Sequence, residues 1–283
     1  LRGGKAGADY LLSLTNKSIW IADEVASTPI LIPEKHGDLS SLEHAISTLQ
    51  AKNKAFIVDP ILDPIHFGFT ESVARNFEFR QKHPNIEMMM GIGNITELTH
   101  ADTSGMNTLL LGMCSELNIN HILATEVSKH ACRSISEADH ARRIMHTAQQ
   151  HNTLPKHIDS SLLTVHDASP FPYDLNEIQD FASEVKDPSF RIQTSPEGIH
   201  IYNRDGLHTA TDPFELFPLL QVENDGGHAF YLGVELARAE ISWQLGKRFN
   251  QDQALNWGCA MAQVNETTVD LHTFKPAGTT FTK

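Results

Sequence analysis

Two apolar runs in this chain stop at polar residues suited to gripping a flat heterocycle. Phe56-Ile57-Val58 ends in Asp59-Pro60, and the run through Met90 ends in Gly91-Ile92-Gly93-Asn94. A carboxylate accepting paired N–H bonds from a guanidine-like edge makes a strong, orienting contact. A carboxamide offers both a donor and an acceptor to a second edge. Glycines at Gly91 and Gly93 would let backbone approach the ring closely. Glu126 closes a third such run, His121-Ile122-Leu123-Ala124-Thr125, and Asp23-Glu24 follow a fourth, Ile19-Trp20-Ile21. Each feature also has a plain structural explanation. Asp-Pro is a common turn, Asn tolerates left-handed backbone, and acidic residues favour the first turn of a helix.

These residues need elements that hold them at one end of a sheet. Continuous apolar runs read as buried parallel strands, expected over 9–14, 18–22, 28–32, 55–59, 86–91 and 121–126. Helical patterns lie between them near 38–51, 68–82, 103–117 and 135–149. Asp38 is placed to cap the first helix, with Leu42, Ala45, Ile46 and Leu49 on one face. Alternating strands and helices make an α/β fold with a parallel sheet. In a barrel of this kind the functional groups sit where strands end. Fewer units are visible than the eight a closed barrel needs, so either further strands precede Leu1 or the sheet is open. The chain begins without Met, as a fragment of a longer product would.

Near residue 151 the character changes. His151 to Asp174 is rich in Pro, Ser, His and Asp and reads as a linker or long surface segment. Beyond it, 190–194 and 199–202 flank Ser195-Pro196-Glu197-Gly198 as a β-hairpin. A helix is expected over 228–245, another near 250–262, and an extended tail from Glu266. The division is therefore 1–150 and 151–283, the second part a smaller α+β region.

Composition bounds the partners. With 35 acidic against 22 basic residues the net charge is −13, which disfavours nonspecific nucleic-acid binding. No apolar run approaches the ~20 residues of a membrane span, and no signal peptide is visible. Three scattered cysteines fit a reducing, cytoplasmic setting rather than a disulfide framework or thiolate zinc site. Cys114, in an apolar helix, reads as packing. No HExxH, P-loop, GxSxG or complete GxGxxG occurs, and the His spacing predicts no metal site.

Taken in order, these motifs resemble the pterin-binding barrels, the superfamily of dihydropteroate synthase and the methyltetrahydrofolate:corrinoid methyltransferases. Gly7-Ala8-Asp9-Tyr10-Leu11-Leu12-Ser13 resembles one strand of the synthases. Phe56-Ile57-Val58-Asp59-Pro60 resembles their strand bearing the aspartate that holds the pterin's amino-pyrimidinone edge. Asp59-Pro60-Ile61-Leu62-Asp63-Pro64 and Met90-Gly91-Ile92-Gly93-Asn94-Ile95-Thr96 are similar to methyltransferase motifs, the latter carrying a pterin-contacting asparagine. Met106-Asn107-Thr108-Leu109-Leu110 resembles the helix that follows.

The resemblance covers roughly residues 1–150 and implies the later part of a (β/α)8 TIM-type barrel. It points most closely to dihydropteroate synthase-related proteins of tetrahydromethanopterin-type C1 metabolism, whose extra C-terminal region 151–283 would supply. Its implied activity joins a pterin methylene carbon to an arylamine, with pterin as substrate and Asp59, Asn94, Gly91 and Gly93 as binding residues; Glu126, by its place at a strand end, is expected to face the same mouth as a further binding residue, with Lys129 as an anion contact, Mg²⁺ as an aid, and a homodimer as a compatible assembly. Two departures stand out. Gly93-Asn94-Ile95 replaces the synthases' Ser-Arg-Lys, and the last strand ends Thr125-Glu126 rather than in Arg-x-His. A methyl-tetrahydropterin:corrinoid methyltransferase, or a noncatalytic pterin-binding subunit, are the alternative readings.

Overall fold

The computed structural model of the chain describes residues 2–261. They fall into two compact units, divided between Leu162 and Leu163. The first runs α1 (Arg2–Lys5), β1 (Tyr10–Leu14), β2 (Thr28–Leu31), α2 (Leu39–Ala51), β3 (Ile57–Val58), α3 (Phe69–Lys82), β4 (Met89–Gly91), α4 (Gly93–Thr96), α5 (Thr103–Glu116), β5 (His121–Leu123) and α6 (Ser134–His151). Its helices start and stop where local chemistry directs. Asp38 accepts from Ser41 N–H to cap α2, burying Leu42, Ala45, Ile46 and Leu49; each Leu or Ile so buried is worth roughly 1.5–3 kcal/mol. Asn152 ends α6 in the left-handed conformation that caps helices.

β1, β2 and β3 pair in parallel in that order, and so do β4 and β5. A parallel bridge between Val58 and Met88, with Val58 N–H donating to Glu87 O at 2.9 Å, joins the two groups. The five strands therefore lie side by side in chain order. Their residues alternate between two apolar faces. Leu31, Val58 and Met90 pack in the large core with the helices, while Ile30, Ile57 and Met89 form a separate cluster on the other side. Both faces are apolar, as in a sheet covered on both sides.

The sheet curls toward the Ile30–Ile57–Met89 face. Tyr10 stands in register with Thr28, and His121 with Met89, so both outer strands present a ring on that face. The rings meet edge to face at 6.4 Å between centroids. Five flat strands spaced ~4.8 Å apart would hold the outer pair ~19 Å apart, beyond the reach of two side chains.

The run expected as a strand over 18–22 is instead a 3₁₀ helix, Ile19–Asp23. β1 pairs directly with β2, which leaves that segment to cross outside the ladder.

The second unit holds α7 (Leu175–Glu184), β6 (Arg191–Ser195), β7 (Gly198–Asn203), β8 (Gly206–Ala210), α8 (Pro213–Leu216) and α9 (Gly226–Leu245). β6, β7 and β8 form an antiparallel meander, with Ser195 opposite Gly198 across a two-residue turn. Gly198 has φ +144°, and a Cβ there would sit 2.8 Å from Ala210 O, so only glycine fits. Ile192, Ile199 and Ile201 pack with Leu232, Leu236 and Ala239 of α9 in this unit's own core. The helix expected over 250–262 is reduced to a 3₁₀ turn, Gly258–Ala260, because Phe249 and Leu255 reach the core from irregular chain. The tail expected from Glu266 lies outside the described residues.

Candidate functional site

Asp59 follows β3 and continues its alternation, so it shares a face with Ile57, the curled-in face. Gly91 likewise follows Met89 on β4. The two meet: a Cβ built on Gly91 would lie 3.9 Å from Asp59 Oδ2. Asp59 is 9% exposed. Its Oδ1 accepts from Ile61 N–H at 2.8 Å. Burial pushes its carboxyl up to about 6, against the opposing pull of the Ile61 N–H and the Arg75 guanidinium.

The loop after Asp59 is built around Arg75 of α3. Arg75 Nε donates to Pro60 O at 2.8 Å, and Nη2 to Ile61 O and Asp63 Oδ2, each at 2.7 Å. Asp63 is 2% exposed, and its N–H donates to Ser72 Oγ at 3.0 Å. His36 Nδ1 approaches Asp63 Oδ1 at 2.8 Å, although that oxygen receives no hydrogen bond of good geometry. Ile61 has φ +68°, a conformation β-branched residues avoid at a cost of ~1–2 kcal/mol. Strain held by surrounding bonds beside a strand end is characteristic of functional sites.

Asn94 belongs to the same assembly. It sits in the single turn α4, and its Nδ2 donates to Leu62 O at 2.7 Å, which ties the exit of β4 to the loop after β3. Gly93 serves a different neighbour: a Cβ there would stand 3.0 Å from Thr125 Oγ1. The structure thus gathers Asp59, Gly91 and Asn94 about one loop, and sets Gly93 against the exit of β5.

Glu126 is engaged elsewhere. Its Oε1 accepts from Ile135 N–H at 2.9 Å, in the first turn of α6. Alternation along β5 explains this: with Leu123 in register with Gly91, Thr125 takes the inner side and Glu126 the outer. Asp23 is held by Lys52 and Lys54 at 2.6 and 3.0 Å as a surface ion pair.

Sequence reasoning passed over Glu97, Thr125, Arg75 and Asp63 as working parts. Glu97 accepts from Thr125 Oγ1 at 2.6 Å, Val127 N–H at 2.9 Å and Ser128 N–H at 2.7 Å. The Thr125 hydroxyl first, and then those N–H groups, hold its carboxyl down at about 2. Arg75 lies on α3 and Asp63 in the loop after β3, so no pattern within one element signals their pairing.

Cys114 is 2% exposed, and burial pushes its thiol up to about 12, so it packs rather than attacks. Among the described residues no group of three His, Cys, Asp or Glu is gathered to hold a metal. No helix among them is long and apolar enough to cross a membrane. Two cavities, of about 210 and 230 Å³, lie away from Asp59 and Asn94. The larger is walled by α5, α6 and the start of β5.

No family model matches the chain, and no solved structure matches it. An uncharacterized protein of Methanocaldococcus jannaschii is 29% identical over 284 aligned positions, covering 87% of this chain and 54% of that protein. The chain thus spans about half the length of the curated relative it matches.

Proposed function

We propose that this chain is a pterin-binding, dihydropteroate synthase-like transferase, and that its first unit is the later portion of a TIM-type barrel. The observation that carries the reading is the placement of Asp59 and Gly91 on adjacent parallel strands, facing the same curled-in side. A buried carboxylate beside a bare glycine backbone is the pairing that a planar ring with an N–H edge would use. Five parallel strands in chain order, with helices against one face and an apolar layer on the other, support the barrel.

In this reading Asp59 accepts two N–H bonds from the amino-pyrimidinone edge and fixes the ring's orientation. Gly91 lets the ring lie against the backbone. Asn94 closes the loop after β3 and leaves its carboxamide oxygen for a second edge. The arylamine nitrogen forms its bond to the pterin methylene carbon as the carbon–oxygen bond to diphosphate breaks, and the amine releases a proton. Such a displacement needs positioning more than a protein nucleophile. No lysine stands in Gly93-Asn94-Ile95, which favours the second reading, a noncatalytic pterin-binding subunit; turnover of a pterin diphosphate separates the two.

Titration of the chain with a reduced pterin, followed by tryptophan fluorescence, tests the binding claim. A buried charge-assisted pair is worth ~1.5–3 kcal/mol, so Asp59→Ala is expected to weaken binding at least tenfold. Equal binding by wild type and variant, or none by either, rejects the site.

A further inference from the structure

The second unit has a cavity of its own, of about 210 Å³, beside the outer edge of β6. Arg191, Gln193, Thr194, Tyr202, Tyr173 and Arg248 line it. This is smaller than the ~300–1,000 Å³ typical of drug-sized ligand sites, so it encloses one or two rings at most and leaves any further group of the ligand outside.

What marks the cavity is polar capacity left unused. Eight buried side-chain atoms lack a partner among the described residues, and two of them, Gln193 Oε1 and Thr194 Oγ1, belong to residues of this wall. Buried polar groups are normally paired, and each exception calls for a reason. The neighbours that could satisfy Gln193 are already committed. His200, opposite it on β7, has Nε2 2.7 Å from Ser195 Oγ and Nδ1 2.8 Å from Thr209 Oγ1. Gln251 accepts from Ile192 N–H at 2.8 Å and donates to Phe190 O and the Tyr231 hydroxyl.

The charges are equally uneven. Arg191 is neutralised by Asp187 through two contacts of 2.7 Å. Arg248 is exposed, and among the described residues only its backbone N–H is bonded, to Asp167 at 2.7 Å, which leaves its guanidinium without a partner among them. Tyr202 is 4% exposed, and with Tyr173 it supplies an aromatic wall.

We infer that this cavity binds the amide-edged heterocycle of a ligand that also bears an anionic group, the chemistry of a nucleoside monophosphate. The carboxamide of Gln193 pairs with an N–H and C=O edge, the tyrosine rings border the heterocycle, and Arg248 takes the anion outside. On a chain of net charge −13, a local cation of this kind is what an anionic ligand requires.

The test is calorimetric titration of the full chain with adenine, guanine, cytosine and uracil, the corresponding nucleoside 5′-monophosphates, and inorganic phosphate. At least one monophosphate is expected to bind saturably, with a dissociation constant below about 1 mM. Gln193→Leu should weaken it about tenfold or more, while the near-isosteric Tyr202→Phe, which keeps the ring, should leave it unchanged. Arg248→Ala, at an exposed position, should weaken the monophosphate but leave its base unchanged, and Asp59→Ala should change neither. Absence of saturable binding by every probe overturns the proposal. So does binding that Gln193→Leu leaves intact, or phosphate alone binding as well as any monophosphate.

Discussion

Asp59 carries two opposite obligations. Its carboxyl is pushed up from an ordinary 3.8 to about 6 chiefly by burial, so the folded chain holds that proton more tightly than the unfolded chain. The sign follows: this group's contribution to stability is best below pH 4 and is lost as pH rises from 4 to 6. Roughly two pH units correspond to about 2–3 kcal/mol at neutral pH. Asp59→Asn, which keeps an acceptor for Ile61 N–H, should therefore raise the urea midpoint at pH 7 and lose that advantage by pH 4. Binding runs the other way. A ligand edge of N–H donors selects the carboxylate, so pterin affinity should fall about tenfold per unit below pH 6 and level off above it, as read by titrations between pH 5 and 8. A flat profile across that range would mean that Asp59 does not titrate against the ligand.

The loop after β3 is the element on which this geometry depends. Arg75 grips the carbonyls of Pro60 and Ile61 and the carboxylate of Asp63, which holds Ile61 at its positive φ. Removing one partner of a buried ion pair leaves the other charge uncompensated, at ~3–5 kcal/mol. Arg75→Met should lower stability by that order in urea denaturation. It should also weaken pterin binding without touching the ligand, because the backbone that presents Asp59 would relax. On the neighbouring exit, Glu97 gathers the chain after β5 through three bonds. Its low carboxyl value means that this support is present above pH 4.5 and lost as pH falls toward 2.

At the scale of the molecule, two cores stand behind two sheets of different kind, one parallel and curled, one an antiparallel meander. Leu31 is fully buried in the first and Ile201 in the second. A Leu→Ala change at such a position costs ~2–5 kcal/mol. Leu31→Ala should speed amide exchange through β1–β5 while leaving protection in the β6–β8 meander unchanged, as followed by hydrogen exchange and mass spectrometry. A uniform loss of protection across both sheets would show that the two units unfold as one.

Much of this was legible in the sequence. Apolar runs set the strands β2 to β5, because a strand covered on both faces has no polar positions to spare. Apolar spacing and Asp38 located α2, and the turn residues Ser195 to Gly198 located the hairpin. The positions of Asp59 and Asn94 at strand exits followed from the points where those runs stop. The side to which each exit residue turns did not follow. Whether Glu126 or Thr125 faces inward depends on register with β4, and register is set by pairing between strands distant in the chain. The curl of the sheet, the clamp of Arg75 on the Asp59 loop and the unpaired amide of Gln193 likewise arise only when separate elements meet. Local chemistry determined which segments form helices and strands; tertiary packing decided which polar side chains remain unsatisfied, and hence where a ligand has something to bind.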